Sequence, residues 1–187
     1  MIDHGPDAGR HDPVTSAAVP VFVSAGSNID PVRNLRMAVR ELERRFAPLL
    51  LSSVYRNKAA GFTGDDFLNM IIGFTTRERP EGILAELERL HAQAGRVRGQ
   101  NPFGPRALDL DLILYGDAID EKLRLPREDI NRYSFVLGPL AEVAPTTRHP
   151  VTGETLGELW ARFDQARHPL EWLPLSVLDA DPRGRSG

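Results

Sequence analysis

Between Leu108 and Leu112 leucine and aspartate alternate without a break, and that pattern leaves the segment little choice of local structure. Successive side chains of an extended strand point to opposite faces. Leu108, Leu110 and Leu112 therefore share one face, and Asp109 and Asp111 share the other. The stretch LDLDLILYG is the most strand-like in the chain and predicts a sheet with one face in a core. Two carboxylates two strand positions apart stand roughly 6.6 Å from each other. At an effective dielectric of about 20 they repel by about 2.5 kcal/mol, so a cation is expected beside them. Magnesium fits, because it takes one or two carboxylates and completes its shell with water and phosphate oxygens. A solvated polar face of an edge strand fits the same five residues, and the alternation by itself leaves both readings open.

The remaining chain supplies partners for this strand. VPVFVSAGS reads as a buried strand beginning at Val19, followed by a turn through Gly26, Ser27 and Asn28. Asp30 and Pro31 look like a helix start, and Leu35, Ala38, Val39, Leu42 and Phe46 recur at helical spacing. LLLSSVYR predicts a second strand and FLNMIIGFTTR a third. PEGILAELERLHAQAG predicts a helix opening at Pro80, and FVLGPLAEVAP and TLGELWARF two short helices. Strand, helix, strand, strand, helix, strand is the order of a ferredoxin-like split βαβ unit. The expected class is α+β, an antiparallel sheet covered by helices.

A length of 187 residues favours one domain. Residues 1–18 and the end of the 167–187 extension lack periodicity and read as disordered tails, leaving residues 19–166 as the domain. The net charge of -3 gives no reason to expect nucleic acid as a partner. With no cysteine there is no disulfide framework and no thiolate site. The N-terminal segment has no apolar run suited to a signal, and nowhere do eighteen apolar residues stand together, so neither export nor a membrane is expected. A cytoplasmic monomer is the expectation. His4, His11, His149 and His168 show no zinc-like spacing and are assigned no role.

Just before the aspartate strand, Arg96, Arg98 and Arg106 lie in a loop broken by Gly99, Gly104, Pro102 and Pro105. Guanidinium groups suit phosphate oxygens, and a loop of them facing a carboxylate-bound metal is a plausible polyphosphate clamp. No GxxxxGK[ST] motif is present, so an ATP site here is not a P-loop.

The string GRVRGQNPFGPRALDLDLILYG (95–116) resembles the signature of the hydroxymethyldihydropterin pyrophosphokinases. GSN (26–28), SSVYR (52–56), FLN (67–69) and FVLGPLAEVAP (135–145) match in register, so the resemblance covers residues 19–160. It implies a ferredoxin-like αβα sandwich with helices on both faces, and an ATP-dependent diphosphotransferase of folate biosynthesis. It further implies that Asp109 and Asp111 hold two magnesium ions, and that Arg96 and Arg106 are catalytic, stabilising the pyrophosphoryl group in transfer. ATP is the co-substrate, with Arg98, Leu112, Lys122 and Arg127 at nucleotide-contacting positions. The pterin falls to Asn57, Phe67, Asn69, Phe103 and Phe135, with the two phenylalanines at 67 and 135 as stacking faces and the Asn69 amide on the heterocycle edge. For Phe67 and Phe135 ordinary core packing is the competing reading.

The sequence departs from the family pattern at several places. His91 stands at a usual glutamate, Pro102 at a usual basic residue, Phe103 at a usual tryptophan, Arg127 at a usual histidine and Tyr133 at a frequent arginine. Asn57, Lys58 and Ala59 break the usual threonine and proline pattern. A divergent paralogue that binds a pterin with weak or altered catalysis is therefore the second expectation. A nucleic-acid binder on the same fold is disfavoured by the acidic charge and the missing aromatic motif.

Overall fold

The computed structural model describes residues 17–58, 65–95 and 107–179. Its centre is an antiparallel sheet in the order β5-β1-β4-β3-β6, built from β1 (Val19–Ser27), β3 (Val54–Asn57), β4 (Phe67–Thr76), β5 (Asp109–Tyr115) and β6 (Glu171–Leu173). A two-residue strand, β2 (Leu50–Leu51), also pairs with β4. Removing β2 and β6 leaves the strand order of the expected ferredoxin-like unit, with α1 (Pro31–Phe46) and α2 (Pro80–Gln93) as its two crossovers.

Side-chain parity divides the sheet into two packed faces. Val21, Val23 and Ala25 of β1 and Leu68, Met70, Ile72 and Phe74 of β4 meet Leu35, Ala38, Leu42 and Phe46 of α1 and Ile83, Leu87 and Leu90 of α2. Leu108, Leu110 and Leu112 join this cluster, as their alternation requires. The other face carries Phe22, Ile71, Ile113 and Leu114, covered by Val136, Leu137 and Leu140 of α4 (Ser134–Val143) and by Leu156 and Leu159 of α5 (Leu156–Arg162). A single turn, α3 (Asp129–Arg132), precedes α4.

Three local features differ from the sequence expectation. The strand expected through LLLSSVYR is interrupted at Ser52, where the register against β4 slips by one residue between Leu51↔Ile72 and Tyr55↔Asn69. The Ser52 N–H donates to the Ile71 carbonyl at 3.1 Å and its hydroxyl oxygen accepts the Ile71 N–H at 2.8 Å, so a side chain fills the gap in the ladder. β5 likewise carries an extra residue, Ile113, between the pairs Val23↔Leu112 and Phe22↔Leu114. Asp30 does begin α1, yet its backbone is left-handed (φ 44) and its carboxylate makes no cap. The Asn34 amide instead donates to the Ile29 carbonyl at 2.7 Å. No described helix is long and apolar enough to cross a membrane.

Candidate active site

α4 and α5 cover only part of their face of the sheet. On the same face, beyond Ile71 and Phe22, the strands present Asp109 and Asp111 from β5, Ser24 and Gly26 from β1, Asn69 and Phe67 from β4, and Asn57 from β3. Cross-strand pairing sets these residues in rows. Asp109 lies opposite Gly26, Gly26 opposite Asn69, and Asn69 opposite Tyr55. Asp109 and Asn69 are thus two strand spacings apart, about 9.5 Å, across a position without a side chain. A side chain there would displace the Asn69 amide, because a Cβ on Gly26 would stand 2.7 Å from Asn69 Oδ1. Asn69 is almost wholly buried and its amide donates to Asn57 Oδ1 on the neighbouring strand. Asn57 in turn donates to the Lys58 carbonyl at 3.0 Å. Two amides from adjacent strands therefore face the aspartates over a glycine floor.

At the ends of the strands the chain is tied down by side chains. The Ser27 hydroxyl lies against the carbonyl oxygens of Ala107 and Ile29, and the Asn28 amide donates to the Asp65 carbonyl at 3.3 Å. These contacts anchor the start of β5 and the start of β4 to the end of β1.

Both aspartates point away from the leucine core and are only partly exposed. Arg127 bridges two acids, with Nη2 3.2 Å from Asp111 Oδ1 and Nε 2.9 Å from Asp129 Oδ2. Burial pushes the Asp111 carboxyl above the usual range, the charge of Asp109 adds to the rise, and Arg127 opposes it. Behind the aspartates, His91 of α2 is buried and its Nε2 accepts the Leu110 N–H at 2.8 Å. Its Nδ1 lies 3.3 Å from Glu88 Oε1. That pairing defines the tautomer, with the proton on Nδ1, and it satisfies a strand-edge donor between the two aspartates.

The donor set fits magnesium held together with a polyphosphate. Among the described residues no third histidine or carboxylate joins Asp109 and Asp111 as a metal-binding group. Two carboxylates with water and phosphate oxygens are the usual provision for that ion.

The expected site residues are placed unevenly. Asp109, Asp111, Asn57, Phe67 and Asn69 share this sheet face, and Arg127 reaches it from the segment after β5. Phe135 packs on the α4 cluster, with its ring stacked on Tyr133 at 5.0 Å between centroids. The Leu112 side chain lies in the core on the opposite face, and Lys122 is exposed in the turn between Asp120 and Leu125. Arg96, Arg98, Phe103 and Arg106 lie outside the described residues. Sequence reasoning missed Asp129 as the second partner of Arg127 and the strand-capping role of His91. Neither has a sequence signal, since both depend on how distant segments return to β5.

A family model described as 7,8-dihydro-6-hydroxymethylpterin-pyrophosphokinase (HPPK) matches residues 22–145, which include Gly26, Asn57, Phe67, Asn69, Asp109, Asp111 and Arg127. The chain belongs to this family. Among HPPK relatives, the 2-amino-4-hydroxy-6-hydroxymethyldihydropteridine pyrophosphokinase of Synechocystis is 37% identical over 147 residues, 76% of this chain and 75% of the relative. The enzyme of that name from Methylorubrum extorquens is 36% identical over 149 residues, 76% of this chain and 92% of its own. Among solved structures, Plasmodium falciparum HPPK-DHPS matches with a TM-score of 0.60 at 10% identity, covering 78% of this chain and 45% of that one. This likeness shows the shared fold, and the present chain spans less than half of the Plasmodium protein.

Proposed function

We propose that this chain transfers the pyrophosphoryl group of ATP to 6-hydroxymethyl-7,8-dihydropterin, giving AMP and the pterin diphosphate. The observation that carries this reading is the row Asp109, Gly26, Asn69 on the sheet face that α4 and α5 cover only in part, in an HPPK-family fold. Asn69 directs its carbonyl oxygen over Gly26, where it suits the N–H donors on the edge of a pterin ring. Phe67 offers an aromatic face at the start of the same strand, and Asn57 holds the Asn69 amide in place. Asp109 and Asp111 would hold two magnesium ions. When bound there, the metal supplies positive charge against the phosphate oxygens.

The chemistry needs no covalent intermediate. The pterin hydroxymethyl oxygen attacks the β-phosphorus, the bond between that phosphorus and the α–β bridging oxygen breaks, and AMP leaves with the electron pair. The hydroxyl proton passes to water. The protein contributes orientation and charge, which is most of what phosphoryl-type transfer requires. Arg96 and Arg106 are assigned to the group in transfer, and Arg98, Lys122, Arg127 and the Leu112 strand to the nucleotide.

AMP release from ATP and magnesium, with and without the pterin, tests this directly, with mass analysis of the product. Pterin-dependent AMP and a diphosphorylated pterin are expected. Pterin binding without AMP would instead favour a divergent paralogue, a reading supported by the stacking of Tyr133 on the Phe135 ring.

A further inference from the structure

Arg127 is held between the carboxylates of Asp111 and Asp129 and is fixed through its backbone as well. Its N–H donates to the Ile113 carbonyl of β5 at 3.0 Å, and its own carbonyl accepts the Ile130 N–H at 3.3 Å. Only about a fifth of its side chain meets solvent, at 20% exposure, so the guanidinium is not a surface group passing by. Nε is held by Asp129 at 2.9 Å, while Nη2 reaches Asp111, whose neighbour on the strand face is Asp109. A guanidinium does not lose its proton at any physiological pH, so this positive charge is permanent.

We propose that Arg127 is a resident counter-ion of the Asp109–Asp111 pair, setting how weakly this chain takes a divalent cation alone and how strongly nucleotide improves that affinity. The inference rests on reading those aspartates as the metal ligands. An ion arriving at Asp111 meets a carboxylate already engaged and a fixed positive charge beside it, and both oppose binding. A nucleotide changes the balance, because its phosphates give the Arg127 guanidinium a replacement anion. Asp129 keeps hold of Nε meanwhile, so the side chain stays in the site when its bond to Asp111 is lost. Cation and nucleotide affinities are then positively coupled, and the coupling is reciprocal.

The test is Mn2+ binding to the full chain, followed by electron paramagnetic resonance of the free ion. It is run without nucleotide and again with the non-transferable analogue α,β-methylene-ATP. Arg127→Ala and Arg127→Gln are compared with the unaltered chain; the glutamine keeps a stem and an amide donor if the alanine variant does not fold. Both variants should bind Mn2+ alone about tenfold tighter, equivalent to about 1.4 kcal/mol. The factor by which the analogue tightens Mn2+ should shrink by a similar amount. Equal Mn2+ affinity in all three proteins, with binding abolished by Asp111→Asn, would overturn the counter-ion role and leave the metal reading standing. Undiminished binding in Asp111→Asn, or no binding in any protein even with the analogue, would overturn the metal reading and this inference with it.

Discussion

Gly26 and Asp111 illustrate two ways in which single residues serve the site at the expense of something else. Gly26 leaves a gap in the sheet face that Asn69 Oδ1 overhangs. Gly26→Ala would drive a methyl group to 2.7 Å from that oxygen and force the amide away from Asn57. Pterin affinity, measured by calorimetry, should fall at least about tenfold, while the circular dichroism spectrum stays that of the folded chain; unchanged affinity would remove Asn69 from the pterin pocket. Asp111 carries the opposite conflict. Its carboxyl is pushed up by burial and by Asp109, so ionising it costs the metal-free fold stability. A carboxyl raised in this way contributes stability that is fully present below its unfolded value and is lost as pH rises through the folded one. Asp111→Asn should therefore abolish metal-dependent AMP release. At pH 7 without metal it should raise the thermal midpoint slightly, by no more than about 4 °C, because solvent screens a side chain 38% exposed. A clear fall in the midpoint would show that the Arg127 pair stabilises more than the charge repulsion costs.

Between elements, charge joins what the core alone leaves adjacent. Arg45 of α1 contacts Glu78 at 2.9 Å and Glu86 of α2 at 2.9 Å, and Arg89 links Glu86 at 2.7 Å to Glu41 of α1 at 2.9 Å. Glu86 is the buried member, and hydrogen bonds from Arg89, then the charges of Arg89 and Arg45, hold its carboxyl below the usual range. Such a group contributes stability present above its unfolded value of 4.5 and lost as pH falls through the folded one. Glu86→Gln should cost about 2 kcal/mol in urea unfolding at pH 7 and flatten the acid limb of the stability profile below about pH 4.5. An acid limb as steep as that of the unaltered chain would assign acid sensitivity to other carboxylates. The helices bearing these charges were legible from their apolar spacing, since Leu35, Ala38, Leu42 and Phe46 are all buried. The strand breaks were not. A hydroxyl standing in for a backbone group at Ser52, and an extra residue at Ile113, each shift a register by one without disturbing hydropathy. The same limit applies to the site. Asp109, Asp111 and Asn69 announce themselves as polar residues inside apolar strands, whereas the Arg127 bridge arises only when the segment after β5 folds back onto it.

At the scale of the whole molecule, the segment after α5 matters more than its composition suggests. EWL at 171–173 shows no useful alternation, yet it forms β6 on the outer edge of β3, pairing Tyr55 with Trp172. Arg56 meets Glu171 at 3.0 Å, Leu178 is buried in the principal core, and Arg36 of α1 hydrogen-bonds the Leu178 carbonyl. This segment therefore closes the sheet on the side that carries Asn57, the residue that orients Asn69. Without it, β3 becomes an edge held by β4 on one side and by Glu142 of α4. That glutamate accepts from the Ser53 N–H, the Ser53 hydroxyl and the Tyr55 hydroxyl. Ending the chain after residue 168 removes one buried leucine, worth about 2–3 kcal/mol, together with the β3–β6 ladder. The truncated chain should unfold at lower urea concentration by at least that equivalent and bind pterin more weakly, since Asn57 sits on the strand that has lost its neighbour. Measuring both separates the roles: lost stability with undiminished pterin affinity would confine the segment to closing the core, and an unchanged urea midpoint would show that β3 needs no cover.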